Sequence, residues 1–152
     1  MENDSSNSAA APTWPELRPL SLRLVILSRS RSHSITSHRL FPTATLLVPV
    51  SEADRYAHTG LQIETIPDEI AGISAVRNWV LKHFKEDSIV MLDDDISACV
   101  CMVSLRCRKL SVVETLAMLE NSAWSARGAE ARLFGWHQRS DPRLLQRNDP
   151  FG

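Results

Sequence analysis

Three consecutive carboxylates, Asp93-Asp94-Asp95, follow the apolar run Ser88-Ile89-Val90-Met91-Leu92. At the end of a buried strand they repel one another, and a bound divalent cation is the obvious compensation. In an extended segment Asp93 and Asp95 point to one side and Asp94 to the other, so the first and third can face a single ligand. Oxygen-only ligands favour Mg2+ or Mn2+, ions that keep several waters and take further ligands from substrate phosphates. The competing interpretation is a solvated acidic turn, a common surface feature at strand ends. A second polar cluster, Ser28-Arg29-Ser30-Arg31-Ser32, follows the apolar run 22–27. Its arginines can make planar, bidentate contacts with phosphates or carboxylates. Of the 17 basic side chains only Lys82, Lys85 and Lys109 are lysines. Genomic base composition accounts for that bias as well as a phosphate-rich ligand does.

The elements that must position these clusters are legible as short periodic segments. Residues 22–27 and 45–50 are apolar and β-branched, as buried strands are. Ser51-Glu52-Ala53-Asp54 then offers a cap and first-turn acids for a short helix. Residues 61–66 alternate and stop at Pro67, which predicts a third strand. Ile73, Val76, Val80 and Phe84 recur at spacings of three and four, the stripe of an amphipathic helix that leaves Arg77 and Asn78 off its buried side. Residues 88–92 form the next strand. Further on, residues 97–103 suggest a strand. Ser111 and Glu114 form a capping box that opens a helix through Leu116, Leu119 and Trp124, with Gly128 suited to its stop. Residues 133–136 suggest a last strand. Strands separated by helical segments describe an α/β fold, Rossmann-like, with a mostly parallel sheet and helices on both faces. In such sheets ligands collect outside the carboxyl ends of the strands. Residues 28–32 and 93–95 would share that edge.

A chain of 152 residues is the size of one domain. Residues 1–19, rich in Ser, Asn, Ala and Pro, read as a disordered leader, and residues 20–152 as the folded unit. Hydrophobic residues at 43% with charged residues at 23% exclude a wholly disordered or coiled-coil chain. A net charge of −1 supplies no bulk field toward nucleic acid or an acidic membrane, so any such partner must be held locally. No apolar run approaches the roughly 20 residues that span a bilayer, and the acidic start is unlike a secretory signal. A soluble, intracellular protein, cytoplasmic or nuclear, without a membrane partner is expected. Cys99, Cys101 and Cys107 lack the spacing of a zinc site and are expected as reduced thiols packed as small hydrophobes beside a buried strand.

The segment from Gly72 through Arg77-Asn78-Trp79 to Met91-Leu92-Asp93-Asp94-Asp95 resembles the nucleotide-binding half of a GT-A glycosyltransferase. There a Gly-x-x-x-x-Arg-Asn helix precedes a strand ending in an Asp-x-Asp motif. With Ser28 to Arg31, Thr36, Val48-Pro49, Glu52, Tyr56 and Ile66-Pro67 added, the pattern looks most like the TET-associated glycosyltransferases, a branch linked to sugar addition on oxidised pyrimidines in DNA. The resemblance covers residues 22–96 well and the remainder loosely.

The resemblance implies a GT-A-like fold and a transferase that uses a nucleoside-diphosphate sugar, a UDP-sugar foremost, with Mn2+ or Mg2+ as cofactor. DNA carrying hydroxymethylated pyrimidines is the acceptor it suggests. It places Asp93 at the nucleoside ribose and Asp95 on the metal, with both in the metal-facing pair. Arg77 would lie near the nucleotide, and Ser28, Arg29 and Arg31 would line the pocket. For His137 the resemblance offers an approach to the metal from the other side, as a histidine makes in some GT-A enzymes, while its own context favours a partly buried or surface histidine. Divalent cations and guanidinium groups suit this chemistry because departure of the sugar builds charge on a diphosphate. Such enzymes run further past the Asp-x-Asp strand, so the domain is expected to be C-terminally incomplete. Glu114, Glu120, Glu130, Asp141 and Asp149 offer no context that selects a general base. Two other readings stay open: a catalytically inactive nucleotide-binding or interaction remnant, and a two-metal nucleotidyltransferase, which lacks a glycine-rich signature near the first strand.

Overall fold

The computed structural model describes residues 20–103 and 106–135. Four strands form where the apolar runs lie: β1 (Leu22–Leu27), β2 (Thr45–Pro49), β3 (Gln62–Ile66) and β4 (Ser88–Asp93). They pair in parallel, in the order β3-β2-β1-β4. A parallel sheet covered on both faces demands continuous apolar runs rather than alternation. Accordingly the neighbours Val25 and Ile26 are both fully buried, and β2 is buried along its whole length.

Consecutive residues divide between two cores. Leu24, Ile26, Leu46, Val48, Val90 and Leu92 pack with Phe41, Tyr56 and Leu119, whereas Val25, Leu47 and Ile66 pack with Val80 and Phe84. The second core is closed by α1 (Ile73–His83), and the first by α2 (Val112–Gly128) together with the 3-10 helical segment Val50–Thr59. The expected α/β architecture, a parallel sheet with helices on both faces, is therefore present and is compatible with a Rossmann-like fold. Trp79 is half-buried against the α1 core and stacks on His83 with ring centroids 4.1 Å apart.

The backbone before α1 turns at Gly72, whose φ of 84° lies where L side chains are strained; its Cβ position is otherwise open, so the dihedral alone selects glycine. From β1 the chain steps outward through β2 to β3, then returns along α1 to pair β4 with the other side of β1. The reversal puts the topological switch point between the carboxyl ends of β1 and β4, where open α/β sheets bind ligands.

Several local expectations are corrected. The short helix expected after Ser51 is present as the 3-10 helix Val50–Thr59, which begins one residue earlier and takes Val50 from the strand expected over 45–50. The strand expected over 97–103 is shortened to β5 (Val100–Val103) and lies outside the main sheet, in an antiparallel hairpin with β6 (Arg106–Lys109). Every residue of β6 is exposed, so no buried face impressed a hydrophobic period on its sequence. Residues 133–135 carry no strand. Cys107 is exposed while Cys99 and Cys101 are half-buried, and none is in a disulfide. The leader 1–19, Trp136, His137, Asp141 and Asp149 lie outside the described residues.

The predicted capping box is complete. Glu114 N–H donates to Ser111 Oγ at 3.2 Å, and Ser111 N–H donates to Glu114 Oε2 at 2.8 Å. The Ser111 backbone donor, with Arg108 Nη1 at 2.8 Å, holds the Glu114 carboxyl down at about 2, against an ordinary 4.5. Because the folded value is the lower one, this contribution is fully present above about pH 4.5 and is lost as pH falls toward 2. Circular dichroism during acid titration should therefore show helix lost over that interval in the wild type. Glu114→Gln should flatten that limb, and Ser111→Ala should cost about 1 kcal/mol at neutral pH.

Candidate functional site

Strand alternation decides how the two polar clusters meet. Ser28 continues the parity of Leu24 and Ile26, and Asp94 that of Val90 and Leu92, so both side chains emerge on the Tyr56 side of the sheet. Ser28 Oγ donates to Asp94 Oδ2 at 2.5 Å and lies 2.9 Å from Tyr56 Oη. Asp93, paired in register with Leu27, continues the opposite parity of Ile89 and Met91 toward the α1 side. Asp93 and Asp95 are exposed, whereas Asp94 is only 4% exposed.

The loop after β1 wraps over this turn. Arg31 Nη1 lies 3.0 Å from Asp94 Oδ1, and Nη2 donates to Asp95 Oδ2 at 3.1 Å. That hydrogen bond to Asp95, with the nearby Asp94 charge, pushes the Arg31 pKa further above its ordinary value, so the guanidinium stays charged. The Arg31 backbone N–H donates to Tyr56 Oη at 3.0 Å. From beneath, Thr36 and Ser37 N–H groups donate to the Asp94 carbonyl at 2.9 and 3.2 Å. Ser37 Oγ donates to the Asp93 carbonyl at 2.6 Å and accepts from Ile96 N–H at 2.8 Å. The carbonyls of Asp93 and Asp94 are thus tied, a condition for holding a ligand without reordering.

The neighbouring loops are stitched to the same edge. Arg29 Nη2 donates to the carbonyls of Asp68 and Ile70 at 3.2 and 3.0 Å, which joins the loop after β1 to the loop after β3. Glu52 accepts from Ser30 N–H at 2.6 Å and Ser30 Oγ at 2.9 Å, and so does more than sit in a first helical turn. Asp68 Oδ1 accepts from Ser51 N–H and Oγ. Of the expected site residues, Ser28 and Arg31 are brought together with the aspartates. Arg29 instead supports the neighbouring loop, and Arg77 is exposed on α1 with no ion-pair partner among the described residues.

Among the described residues no three His, Cys, Asp or Glu side chains are grouped to hold a metal ion. With Asp94 committed to Ser28 and Arg31, and Asp95 Oδ2 taken by Arg31, the donors on offer are the exposed Asp93 and the Oδ1 atom of the exposed Asp95. Two carboxylates do not make a cage, but they match the way Mg2+-like ions bind through one or two carboxylates plus substrate phosphates. Two surface grooves lie elsewhere. One, about 760 Å3, runs between the β5–β6 hairpin and α2, and the other, about 440 Å3, sits at the amino end of the sheet beside Arg23, Glu64 and His83. No described helix is long and apolar enough to cross a membrane.

The sequence reading missed Asp94, Tyr56 and Ser37 as organisers of the site. A buried tyrosine hydroxyl and a fully buried serine must find partners, but which ones depends on strands far apart in the chain. Comparison with protein-family models, curated proteins and solved structures finds no match.

Proposed function

We propose that the carboxyl edge of the sheet binds a nucleoside-diphosphate sugar, a UDP-sugar foremost, and that the chain is a metal-dependent glycosyltransferase of GT-A type. The observation that carries this reading is the meeting of the β1 loop and the aspartate turn at the switch point. There Arg31 contacts Asp94 and Asp95 while Asp93 and Asp95 remain exposed. Asp95, with Asp93, is the place for Mn2+ or Mg2+ arriving with the diphosphate; when bound, such an ion supplies charge to offset the departing leaving group. Asp93 also has the carboxylate to accept hydrogen bonds from the ribose hydroxyls. Arg31 faces the nucleotide side, while Ser28 and Arg29 hold the loop that carries it; Arg77 would reach the nucleotide from α1. An acceptor pyrimidine in DNA follows from the resemblance alone, as a site and not a fold determines substrate.

Titration calorimetry with UDP and Mn2+ tests the reading. Wild type should bind, and Asp95→Ala should bind at least about tenfold more weakly, the worth of one charge-assisted contact. Equal affinity in the two proteins removes the role given to Asp95. Sugar transfer or donor hydrolysis in the wild type supports the enzyme, whereas binding without turnover supports a nucleotide-binding remnant.

A further inference from the structure

The hydrogen bonds around Asp94 form a closed ring that begins and ends on Arg31, and the donor at each step is determined. Ser28 has one hydroxyl proton, and it goes to Asp94 Oδ2 at 2.5 Å. Ser28 Oγ must therefore accept in its 2.9 Å contact with Tyr56, which makes the phenol the donor there. The phenol oxygen accepts in turn from the Arg31 backbone N–H at 3.0 Å. Asp94 closes the circuit by taking the Arg31 guanidinium on its other oxygen at 3.0 Å. Backbone and side chain of one arginine are thus clamped by the same four-residue ring. Tyr56 at 0%, Asp94 at 4% and Ser28 at 8% exposure put that ring out of solvent, where the three bonds running from the Arg31 N–H through Tyr56 and Ser28 to Asp94 share one direction and strengthen one another. The Arg31 side chain reaches the surface, at about half exposure.

We infer that Asp94 and Tyr56 are positioning residues whose task is to hold the Arg31 guanidinium at the mouth of the switch-point crevice. A long, flexible side chain meeting an anion loses rotamer freedom when it binds. The ring removes that freedom in advance. Asp94 does so from the buried side, beside the exposed Asp95 on the other guanidinium nitrogen, and Tyr56 sets the loop backbone from which the arginine departs. What Arg31 then meets, the diphosphate of a nucleotide, rests on the function proposed above; the ring itself does not.

Two double-mutant cycles test this with Tyr56→Phe, which removes the two ring bonds of the phenol oxygen, and Arg31→Met, which removes the guanidinium link to Asp94; both keep side-chain volume. In urea unfolding, a coupled ring makes the double variant's unfolding constant differ at least about threefold from the product of the single effects. Agreement within about twofold means that the bonds are independent and overturns the ring. In UDP titration with Mn2+, Tyr56→Phe should weaken binding about fivefold when Arg31 is present and change it less than about twofold beside Arg31→Met. Equal weakening in both backgrounds shows that Tyr56 does not act through Arg31 and overturns the positioning role, since a purely structural effect would ignore the background. If wild type binds no UDP with Mn2+, the proposed function fails and Arg31 is not an anchor for that anion, while the unfolding cycle still decides the ring.

Discussion

Asp94→Ala is expected to destabilise the protein by about 3 kcal/mol, the largest loss at any of the three consecutive aspartates. Its side chain is 5% exposed, accepts from Ser28 at 2.5 Å and faces the Arg31 guanidinium at 3.0 Å. Removing the carboxylate strands the Ser28 hydroxyl beside the fully buried Tyr56, at about 1–3 kcal/mol for an unpaired buried polar group. Breaking a fully buried ion pair costs about 3–5 kcal/mol, but here Arg31 is half exposed and can rehydrate, which discounts that part. Asp93→Ala and Asp95→Ala remove exposed carboxylates from a crowd of like charge and should each stay within about 0.5 kcal/mol. Urea midpoints at constant slope measure the ranking. If Asp94→Ala loses no more than Asp95→Ala, the middle carboxylate is not the anchor of this turn.

Ile26→Ala should cost about 3–4 kcal/mol, and Ile26→Val about 1. Ile26 is 0% exposed at the centre of β1, in register with Leu46 on one side and Leu92 on the other. Paired strands hold those neighbours in place, so the cavity cannot collapse easily, and the cavity adds to the lost transfer free energy. The site would feel the change as well, because Ser28 leaves the same strand two residues later. Leu81→Ala is the control: Leu81 is 60% exposed on α1 and should change stability by no more than about 0.5 kcal/mol. Thermal or urea unfolding of both variants suffices, and equal losses would contradict this account of the core.

The elements that sequence alone made legible share one property: their signals are local. Runs such as Leu22–Leu27 and Thr45–Pro49 announce buried parallel strands because both faces are covered. The stripe Ile73, Val76, Val80 and Phe84 marks α1, and Ser111 with Glu114 marks the start of α2. The hairpin partner Arg106–Lys109 escaped because its residues are exposed throughout, so nothing but cross-strand hydrogen bonding distinguishes it. The helix over 50–59 was legible as a helix, with Glu52 in its first turn, but not as a 3-10 helix.

At the candidate site, the two-residue period expected across Asp93, Asp94 and Asp95 reaches only Asp93, where β4 ends; Asp94 and Asp95 form a turn, and one guanidinium, that of Arg31, meets both. Sequence by itself determined that an acidic turn and an arginine-rich loop would end two strands of a parallel α/β sheet. Only the tertiary structure decided that β4 pairs with β1, and therefore that Ser28 meets Asp94 across 66 residues and Tyr56 across 28. The reason is physical: periodicity says which face a side chain takes, because that depends on neighbours along the chain. Which groups share that face depends on strand order, and strand order follows from how whole elements bury their apolar sides against one another.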